Sequence, residues 1–309
     1  MIKKFDLLIN IIIFSSLITT PSYSYANDPE LNPGTVSNIE INEASGIAIS
    51  RINEDVLWVI NDSGNSSIFA MNSNGNHLAT FNIQDVMNND WEDLTSFTYK
   101  GKPYILIADV GDNKAKREKC YLHFIQEPDL IKTSNSSPVS IKPSWSIAFT
   151  YEDGPRDCES VAVDIVNEKI LLLSKRDQPP VLYEIPLNKQ KNIVAKKLGK
   201  IKPLPQPTQN DIRLIKYLNQ ITHQPTAMDI SSDGLSAVIL TYVNAYYFTS
   251  EEPTDWLTVF LSTPNKITLP PLQQAESVCF DKDGKSIYVT SEKIPAPLLK
   301  IDLTELLNM

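Results

Sequence analysis

The chain has 309 residues, with 37 Asp or Glu against 28 Lys or Arg, so its formal net charge is −9. This acidic balance argues against nucleic acid and anionic membranes as partners and is compatible with cations or basic ligands. The three cysteines, Cys120, Cys158 and Cys279, are too few for a disulfide framework. Either they are three buried thiols, or Cys120 and Cys158 form a bridge. In both cases the fold must be held mainly by the core of one large β domain.

The first 26 residues have the layout of a secretory signal peptide. Lys3 and Lys4 precede an apolar run from Leu7 to Thr20, and a small-residue cleavage site follows at Ala26. A membrane anchor is the alternative, but the run is short for a membrane span and polar residues interrupt it. We therefore predict a periplasmic or secreted monomer with no membrane span after cleavage. The predicted organisation is a signal peptide over 1–26, a linker over 27–35 and a single domain over 36–309.

Short strands and turns recur along the rest of the chain. Runs led by an acid begin at Glu43, Glu92, Glu159 and Glu276, and a related run begins at Thr226. Each start is followed by an apolar second strand that ends in polar residues, and then by a third strand. Such repeats, none of which can bury both sheet faces alone, are typical of a β-propeller. We predict an all-β propeller of five or six four-stranded blades, closed by the strand before Glu43. A β-sandwich is the alternative.

Two longer insertions and one short helix complete the predicted elements. Residues 129–143 are rich in Ser, Thr and Pro and predict an exposed loop, while apolar residues within 210–219 recur at helical spacing. Residues 254–262 predict a short helix capped by Thr254.

The repeats predict where the acids lie. In a propeller the first strand of each blade lines the central channel, and the second strand returns to the same face. The leading acids and the polar ends of the second strands should therefore share one mouth. The predicted metal ligands are Glu43, Asp62, Glu92, Asp109, Asp112, Asn113, Glu159 and Glu276. The residues predicted to bind a polar substrate are Trp91, Lys175, Arg176, Asp229 and Glu292.

Carboxylates gathered at one mouth repel one another, by roughly 3 kcal/mol for a pair about 6 Å apart at an effective dielectric near 20. A cation would relieve this repulsion, and an all-oxygen ligand set suits Ca²⁺, with Mg²⁺ as the second choice. Metal-assisted hydrolysis of an ester or phosphoester, with Glu92 or Glu159 as catalytic base, is the predicted reaction class. The alternative is a non-catalytic propeller that binds a protein or glycan of the cell envelope, its acids serving only to tie loops together.

Several stretches carry a family resemblance. In chain order they are Glu43-Ala-Ser-Gly, Asn61-Asp-Ser-Gly, Asp90-Trp-Glu-Asp-Leu, Ala108-Asp-Val-Gly-Asp-Asn, Glu127-Pro, Tyr151-Glu-Asp-Gly-Pro-Arg-Asp-Cys-Glu-Ser, Ser174-Lys-Arg and Ala275-Glu-Ser-Val. This order resembles a group of secreted bacterial β-propeller proteins of the WD40-like or TolB-like type. The resemblance covers nearly the whole mature chain and implies a propeller and export, but no agreed activity.

One departure from this group concerns a cysteine. Where such proteins tend to carry Asp-Ala-Glu-Ala, this chain has Asp157-Cys-Glu-Ser, which keeps both acids. A more distant resemblance is to calcium-dependent propeller hydrolases such as lactonases and phytases, which hold a metal in the channel. Their catalytic residues cannot be mapped onto this sequence.

Overall fold

The computed structural model describes residues 34–131, 138–208 and 223–307. The predicted signal peptide, most of the predicted linker and the predicted helix at 210–219 lie outside these ranges. Among the residues described, no helix is long and apolar enough to cross a membrane.

The described chain is built almost entirely of β-strands, which confirms the all-β prediction. In chain order the strands are β1 (Gly34–Thr35), β2 (Ala44–Ile49), β3 (Leu57–Asn61), β4 (Ser67–Met71), β5 (His77–Ile83), β6 (Trp91–Tyr99), β7 (Lys102–Asp109), β8 (Cys120–Gln126), β9 (Val139–Ile141), β10 (Trp145–Tyr151), β11 (Cys158–Asp164), β12 (Lys169–Ser174), β13 (Val181–Pro186), β14 (Asn192–Lys200), β15 (Pro225–Ile230), β16 (Ser236–Thr241), β17 (Asn244–Thr249), β18 (Asn265–Thr268), β19 (Ala275–Phe280), β20 (Ser286–Ser291) and β21 (Pro297–Asp302). Two short helices are α1 (Trp256–Phe260) and α2 (Thr304–Leu307).

The strands pair mainly as antiparallel meanders of consecutive strands. The meanders are β2 to β5; β6, β7, β8 and β10; β11 to β14; β15 to β18; and β19 to β21 with β1 as the outer strand. A parallel pair of β10 and β14 joins the second and third meanders into one eight-stranded sheet.

The first strands of successive meanders pack against one another at the centre of the molecule. β2 contacts β6, β6 contacts β11, β11 contacts β15, β15 contacts β19, and β19 contacts β2. β2, β11, β15 and β19 are buried along their whole length, so small and apolar residues occupy most of their positions. This arrangement is that of a β-propeller.

The hydrophobic core is divided among the spaces between neighbouring meanders. Trp58 and Phe81 of the first meander pack edge to face and share a cluster with Ile105 of the second. Another cluster joins Phe69 of the first meander to Leu298 of the fifth. Each meander therefore buries its two faces against two neighbours, as a repeat that is unstable alone requires.

A buried carboxylate ties three of the first strands together. Asp93 of β6 is 0% exposed. Its Oδ1 accepts a hydrogen bond from the Leu94 N–H (2.8 Å), and its Oδ2 accepts from the N–H groups of Val161 in β11 (2.7 Å) and Met228 in β15 (3.2 Å). Burial raises the pKa of Asp93 well above its usual value, and the three N–H donors oppose that rise.

Three local predictions differ from the structure. Residues 139–141, predicted as loop, form β9, because the outer edge of β5 offers unpaired backbone groups to a parallel partner. The cap of α1 is Asp255 rather than Thr254, since the Asp255 side chain accepts from the Thr258 N–H. Gly34 and Thr35, assigned to the predicted linker, pair with β21.

All three cysteines are buried and free, so the alternative of a Cys120–Cys158 bridge is not adopted.

His123 in β8 is a buried titratable group in the second meander. It is 5% exposed, its Nδ1 lies 2.8 Å from Ser146 Oγ, and its ring stacks on Tyr121. Burial, with a smaller contribution from the Arg117 charge, lowers the pKa of His123 from 6.5 to about 4. Between about pH 4 and pH 6.5, the imidazole of His123 is therefore neutral in the folded protein but protonated in the unfolded chain.

Replacing Asp93 by Asn should lower the free energy of unfolding by about 2 kcal/mol, because an amide cannot accept all three backbone hydrogen bonds and charge assistance is lost. Urea denaturation measures this change. The control is Glu40→Gln at an exposed position, expected within about 0.5 kcal/mol of wild type. Equal stabilities for the two variants would contradict the role of Asp93.

The His123→Gln variant should lose less stability than wild type as the pH falls from 6.5 to 4. The pKa of His123 is lower in the folded protein than in the unfolded chain. Its contribution to the free energy of unfolding is therefore complete above pH 6.5 and is lost on acidification. The full difference is about 3 kcal/mol. Denaturation at several pH values measures it, and parallel pH dependences in the two proteins would refute this assignment.

A candidate cation site at one channel mouth

A β-bulge near the start of each first strand positions a ring of side chains. The pairing of first and second strands shifts register by one residue at Ser45, Glu92, Glu159, Thr226 and Glu276. A bulge adds an unpaired residue and re-aims its side chain. These five residues are thus equivalent, and the first repeat starts at Ser45 rather than at Glu43.

A second ring lies two residues before the bulges. Its members are Glu43, Asp90, Asp157, Gln224 and Gln274. The carbonyl groups of four of them accept hydrogen bonds from the residues that follow the second strands: Asp62 N–H to Glu43 (3.0 Å), Gly111 N–H to Asp90 (3.2 Å), Lys175 N–H to Asp157 (3.0 Å) and Glu292 N–H to Gln274 (3.0 Å). This backbone pattern fixes the loops of the mouth, so the side chains of both rings are held by regular structure.

Three buried carboxylates from these rings meet. One ligand oxygen each from Glu92, Asp157 and Glu159 lies within 4.8 Å of the others. They come from the second and third meanders, where β6 and β11 are in contact. Oxygen atoms at this spacing can coordinate one hard cation such as Ca²⁺.

Glu92 lacks a protein partner at this point. It is 7% exposed, and no hydrogen bond reaches its carboxylate from the described residues. A Cβ on Gly111 would collide with Glu92 Oε1 and with the Asp90 carboxylate, so only glycine lets the backbone pass so close. Burial, together with Glu159 and Asp90, raises the pKa of Glu92 well above its usual value, although Lys175 opposes the rise.

Lys175 is a buried cation that pairs with one of the three carboxylates. Its Nζ contacts Glu159 Oε1 and donates to Tyr242 Oη at 2.8 Å, and both Lys175 and Glu159 are buried. Burial lowers the pKa of Lys175, but Glu159 and Tyr242 more than compensate, so this pKa is raised. Burial raises the pKa of Glu159 to about 7 despite Lys175. One ammonium group therefore does not neutralise the cluster.

Asp157 is held rigidly by its neighbours. Its Oδ1 accepts from the Asp112 N–H (2.9 Å), and its Oδ2 accepts from Arg176 Nε (2.6 Å), whose guanidinium also contacts Asn113 Oδ1. Each oxygen of the Asp157 carboxylate keeps a lone pair beyond these bonds. Arg176 and Asn113, predicted as substrate and metal residues, thus orient Asp157.

Other acids continue the mouth on its far side. Burial and the nearby Glu159 and Glu292 raise the pKa of Glu276 to about 8. Burial and the adjoining Glu43 carboxyl raise the pKa of Asp62 to about 7, and Glu292 adds to this effect. Ser63 Oγ donates to Glu43, and Lys293 pairs with Glu292. The predicted Glu43, Asp62, Glu276 and Glu292 therefore line a continuous acidic arc with the three central carboxylates.

Four predicted site residues have other partners or lie elsewhere in the fold. Asp109 is paired with Arg117 (2.8 Å) and accepts from Asn89 Nδ2 (2.7 Å), while Asp112 Oδ2 accepts from the Arg117 N–H (2.7 Å). Trp91 is fully buried in the core between the first two meanders. Asp229 lies deeper in the channel, where it accepts from the Phe280 N–H (2.9 Å).

Sequence reasoning missed Asp157, Asp90 and Tyr242 as site residues. The signal for the first two was the spacing Asp-x-Glu, which occurs at Asp90-Trp-Glu and again at Asp157-Cys-Glu. Ordinary strand alternation would put such a pair on one face, and the bulge then turns the Glu towards the axis. Tyr242 carries no sequence signal beyond its place after the second strand.

Comparisons with known proteins give no family. No protein-family model matches the chain, and no curated protein matches it. Among solved structures, hydrazine synthase from Kuenenia stuttgartiensis is similar with 11% identity and a TM-score of 0.44, covering 84% of this chain and 83% of that one. A nidogen/laminin complex has 12% identity and a TM-score of 0.42, covering 87% and 80%.

A third similar structure is Raptor from Chaetomium thermophilum, with 11% identity, a TM-score of 0.40 and coverage of 84% of this chain and 20% of that one. At this level of similarity no activity, ligand or partner passes to this chain. The resemblance to WD40-like or TolB-like secreted propellers stays a prediction.

Proposed function

We propose that this protein is an exported β-propeller whose acidic channel mouth binds a divalent cation, Ca²⁺ before Mg²⁺, together with a polar small molecule. The observation that carries the proposal is the meeting of Glu92, Asp157 and Glu159 around a point where Glu92 has no hydrogen-bond donor among the described residues. A buried carboxylate without a partner is costly, and a cation removes that cost.

The chemistry of the ligand set supports a hard cation. The three central groups offer oxygen only, and further oxygen atoms from Asp90 and Glu276 lie near enough to alter the pKa of Glu92. Ca²⁺ accepts six to eight oxygen ligands in flexible geometry, whereas Mg²⁺ demands a near-ideal octahedron. An arc of carboxylates from different strands suits the larger ion.

Lys175 competes with that cation. A divalent ion roughly 5 Å from the ammonium would be repelled by about 7 kcal/mol at an effective dielectric near 20. Binding of the ion would therefore favour movement of Lys175 away from Glu159, which would free its ammonium for an anionic group of the substrate. Binding of the cation by Glu159 and binding of the substrate by Lys175 would then be coupled in one exchange, because both require the Lys175–Glu159 pair to separate.

The reaction class that such a site supports is metal-assisted hydrolysis of an ester or phosphoester, with the cation polarising the substrate oxygen. Glu92 and Glu159 both stay candidates for the base, because each places a buried carboxylate in the central cluster. The predicted alternative, a non-catalytic binder of envelope protein or glycan, would leave the acids without a cation.

We further propose five blades and a ring closed by the chain's two ends. Three contacts favour this count: β19 packs on β2, Ser277 Oγ donates to Ala44 O (3.2 Å), and β1 pairs with β21. Export rests on the signal-peptide pattern of the first 26 residues. The periplasmic or secreted location rests on the same pattern. We also propose that the protein is a monomer.

Calcium should raise the melting temperature of wild type and leave that of Glu92→Gln unchanged. At about a hundredfold excess over Kd, binding contributes about 2.7 kcal/mol, which corresponds to a shift of roughly 5 °C for a chain of this size. Differential scanning calorimetry with Ca²⁺ and with chelator measures it. The matched control is Glu251→Gln, an exposed acid that follows the end of β17 away from the mouth, which should respond as wild type does. No shift in wild type would favour the non-catalytic alternative.

The Lys175→Met variant should bind Ca²⁺ at least about tenfold more tightly than wild type, because the competing ammonium is gone. The same variant should be less stable without calcium, since Glu159 loses its counter-ion. Isothermal titration calorimetry measures the affinity. Lys293→Met, which removes a half-exposed ammonium from the rim of the same mouth, is the control and should change affinity much less. Weaker calcium binding by Lys175→Met would contradict the exchange.

A further inference from the structure

The end of the channel opposite the acidic mouth holds an arginine that no carboxylate neutralises. Arg51 follows β2, and its guanidinium lies against neutral oxygens only. Nε donates to Ser96 O (3.1 Å) and Oγ (3.0 Å), Nη2 donates to Ser96 O (2.7 Å), and Nη1 donates to Ser232 Oγ (2.8 Å). Three of the five N–H groups are thereby used, and two remain.

The other described arginines differ from Arg51 in this respect. Arg117 is paired with Asp109, Arg156 with Asp153 and Asp177, and Arg176 with Asp157. Within residues 34–131, 138–208 and 223–307, Arg51 alone of the arginines has no ion pair. In a chain of net charge −9, an unpaired guanidinium fixed by β6 and by the turn after β15 is a preorganised cation.

A pocket of about 220 Å³ opens beside this guanidinium. It lies where β2, β6, β11 and β15 end, and its apolar wall is formed by Phe97, Val163, Ile165 and Ile230. Two hydroxyl groups have hydrogens to donate there. Ser232 Oγ accepts from Arg51 and donates to no described residue, and the exposed Thr98 hydroxyl has no hydrogen bond in the described chain.

We propose that this pocket binds a small carboxylate with a short branched apolar group. The carboxylate would accept from the free Arg51 N–H groups and from the hydroxyls of Ser232 and Thr98, a charge-assisted arrangement. The apolar group would lie against Ile165 and Ile230 and leave water there. Inorganic phosphate is disfavoured, because its strong hydration would have to be removed against an apolar wall.

None of the nearby described acids forms an ion pair with the Arg51 guanidinium. Asp229 is close enough for Arg51 to lower its pKa, but burial raises that pKa more, to about 6, and its oxygens are bound to the Phe280 N–H and to Thr95. Asp233 accepts from Ser231, and Glu127 accepts from the backbone N–H of Arg51 rather than from its guanidinium. The positive charge therefore faces the pocket.

The test is titration of the purified protein with isobutyrate, isobutyramide and inorganic phosphate, followed by methyl NMR and calorimetry. Isobutyrate should bind, whereas the neutral isosteric amide and phosphate should bind at least about tenfold more weakly. Arg51→Gln should weaken isobutyrate binding by about tenfold or more. Lys282→Gln is the matched control, because its ammonium lies at the same end but is paired with Glu54, and it should leave affinity within about twofold.

Two milder variants keep the test decisive if Arg51→Gln does not fold. Ser232→Ala and Thr98→Val should each weaken isobutyrate binding by about threefold or more while the fold, checked by circular dichroism, is retained. Glu92→Gln and chelator should have no effect, since the acidic mouth is at the other end. No isobutyrate binding by wild type, equal binding of the amide, preference for phosphate, or full affinity in Ser232→Ala and Thr98→Val would overturn the proposal.

Discussion

The β-bulge at the start of each first strand is the constraint on which the rest of the mouth depends. It turns Glu92, Glu159 and Glu276 towards the axis and leaves the residues two places earlier to close the loops through their carbonyl groups. Without that extra residue, strand alternation alone would set the side-chain directions. Backbone geometry therefore brings the acids together in spite of their mutual repulsion, and this repulsion persists in the folded protein.

Charge is distributed unevenly along the channel. Carboxylates crowd the mouth where first strands begin, Asp93 and Asp229 in the middle are bound by backbone N–H groups, and Arg51 stands at the far end. The middle acids hold the strands together, because each accepts from the backbone of another first strand. The acids at the mouth have fewer such donors, and Lys175 answers only part of their charge. Stability and binding thus use the same residue types in different surroundings.

Sequence alone predicted the all-β fold, the repeat and most of the acids at the mouth, because strand periodicity and repeated acid-led starts are local patterns. It misplaced the first start at Glu43, since Ser45 is not acidic and the bulge that makes it equivalent to Glu92 is invisible in one sequence. It selected Asp109 and Asp112 without their partner Arg117, which the folding of the single loop between β7 and β8 brings to them. It also omitted Asp157, whose role depends on contact between two meanders. The sequence could not predict which side chains the folded chain brings into contact.

The central claim is that one cation satisfies carboxylates brought together by neighbouring repeats. The most direct measurement is a crystal structure of the protein soaked with Tb³⁺ as a calcium substitute, using anomalous scattering to locate the ion. The account predicts the strongest anomalous peak between Glu92, Asp157 and Glu159, with the Lys175 ammonium moved away from Glu159. Peaks confined to exposed acids, with Lys175 still against Glu159, would contradict it.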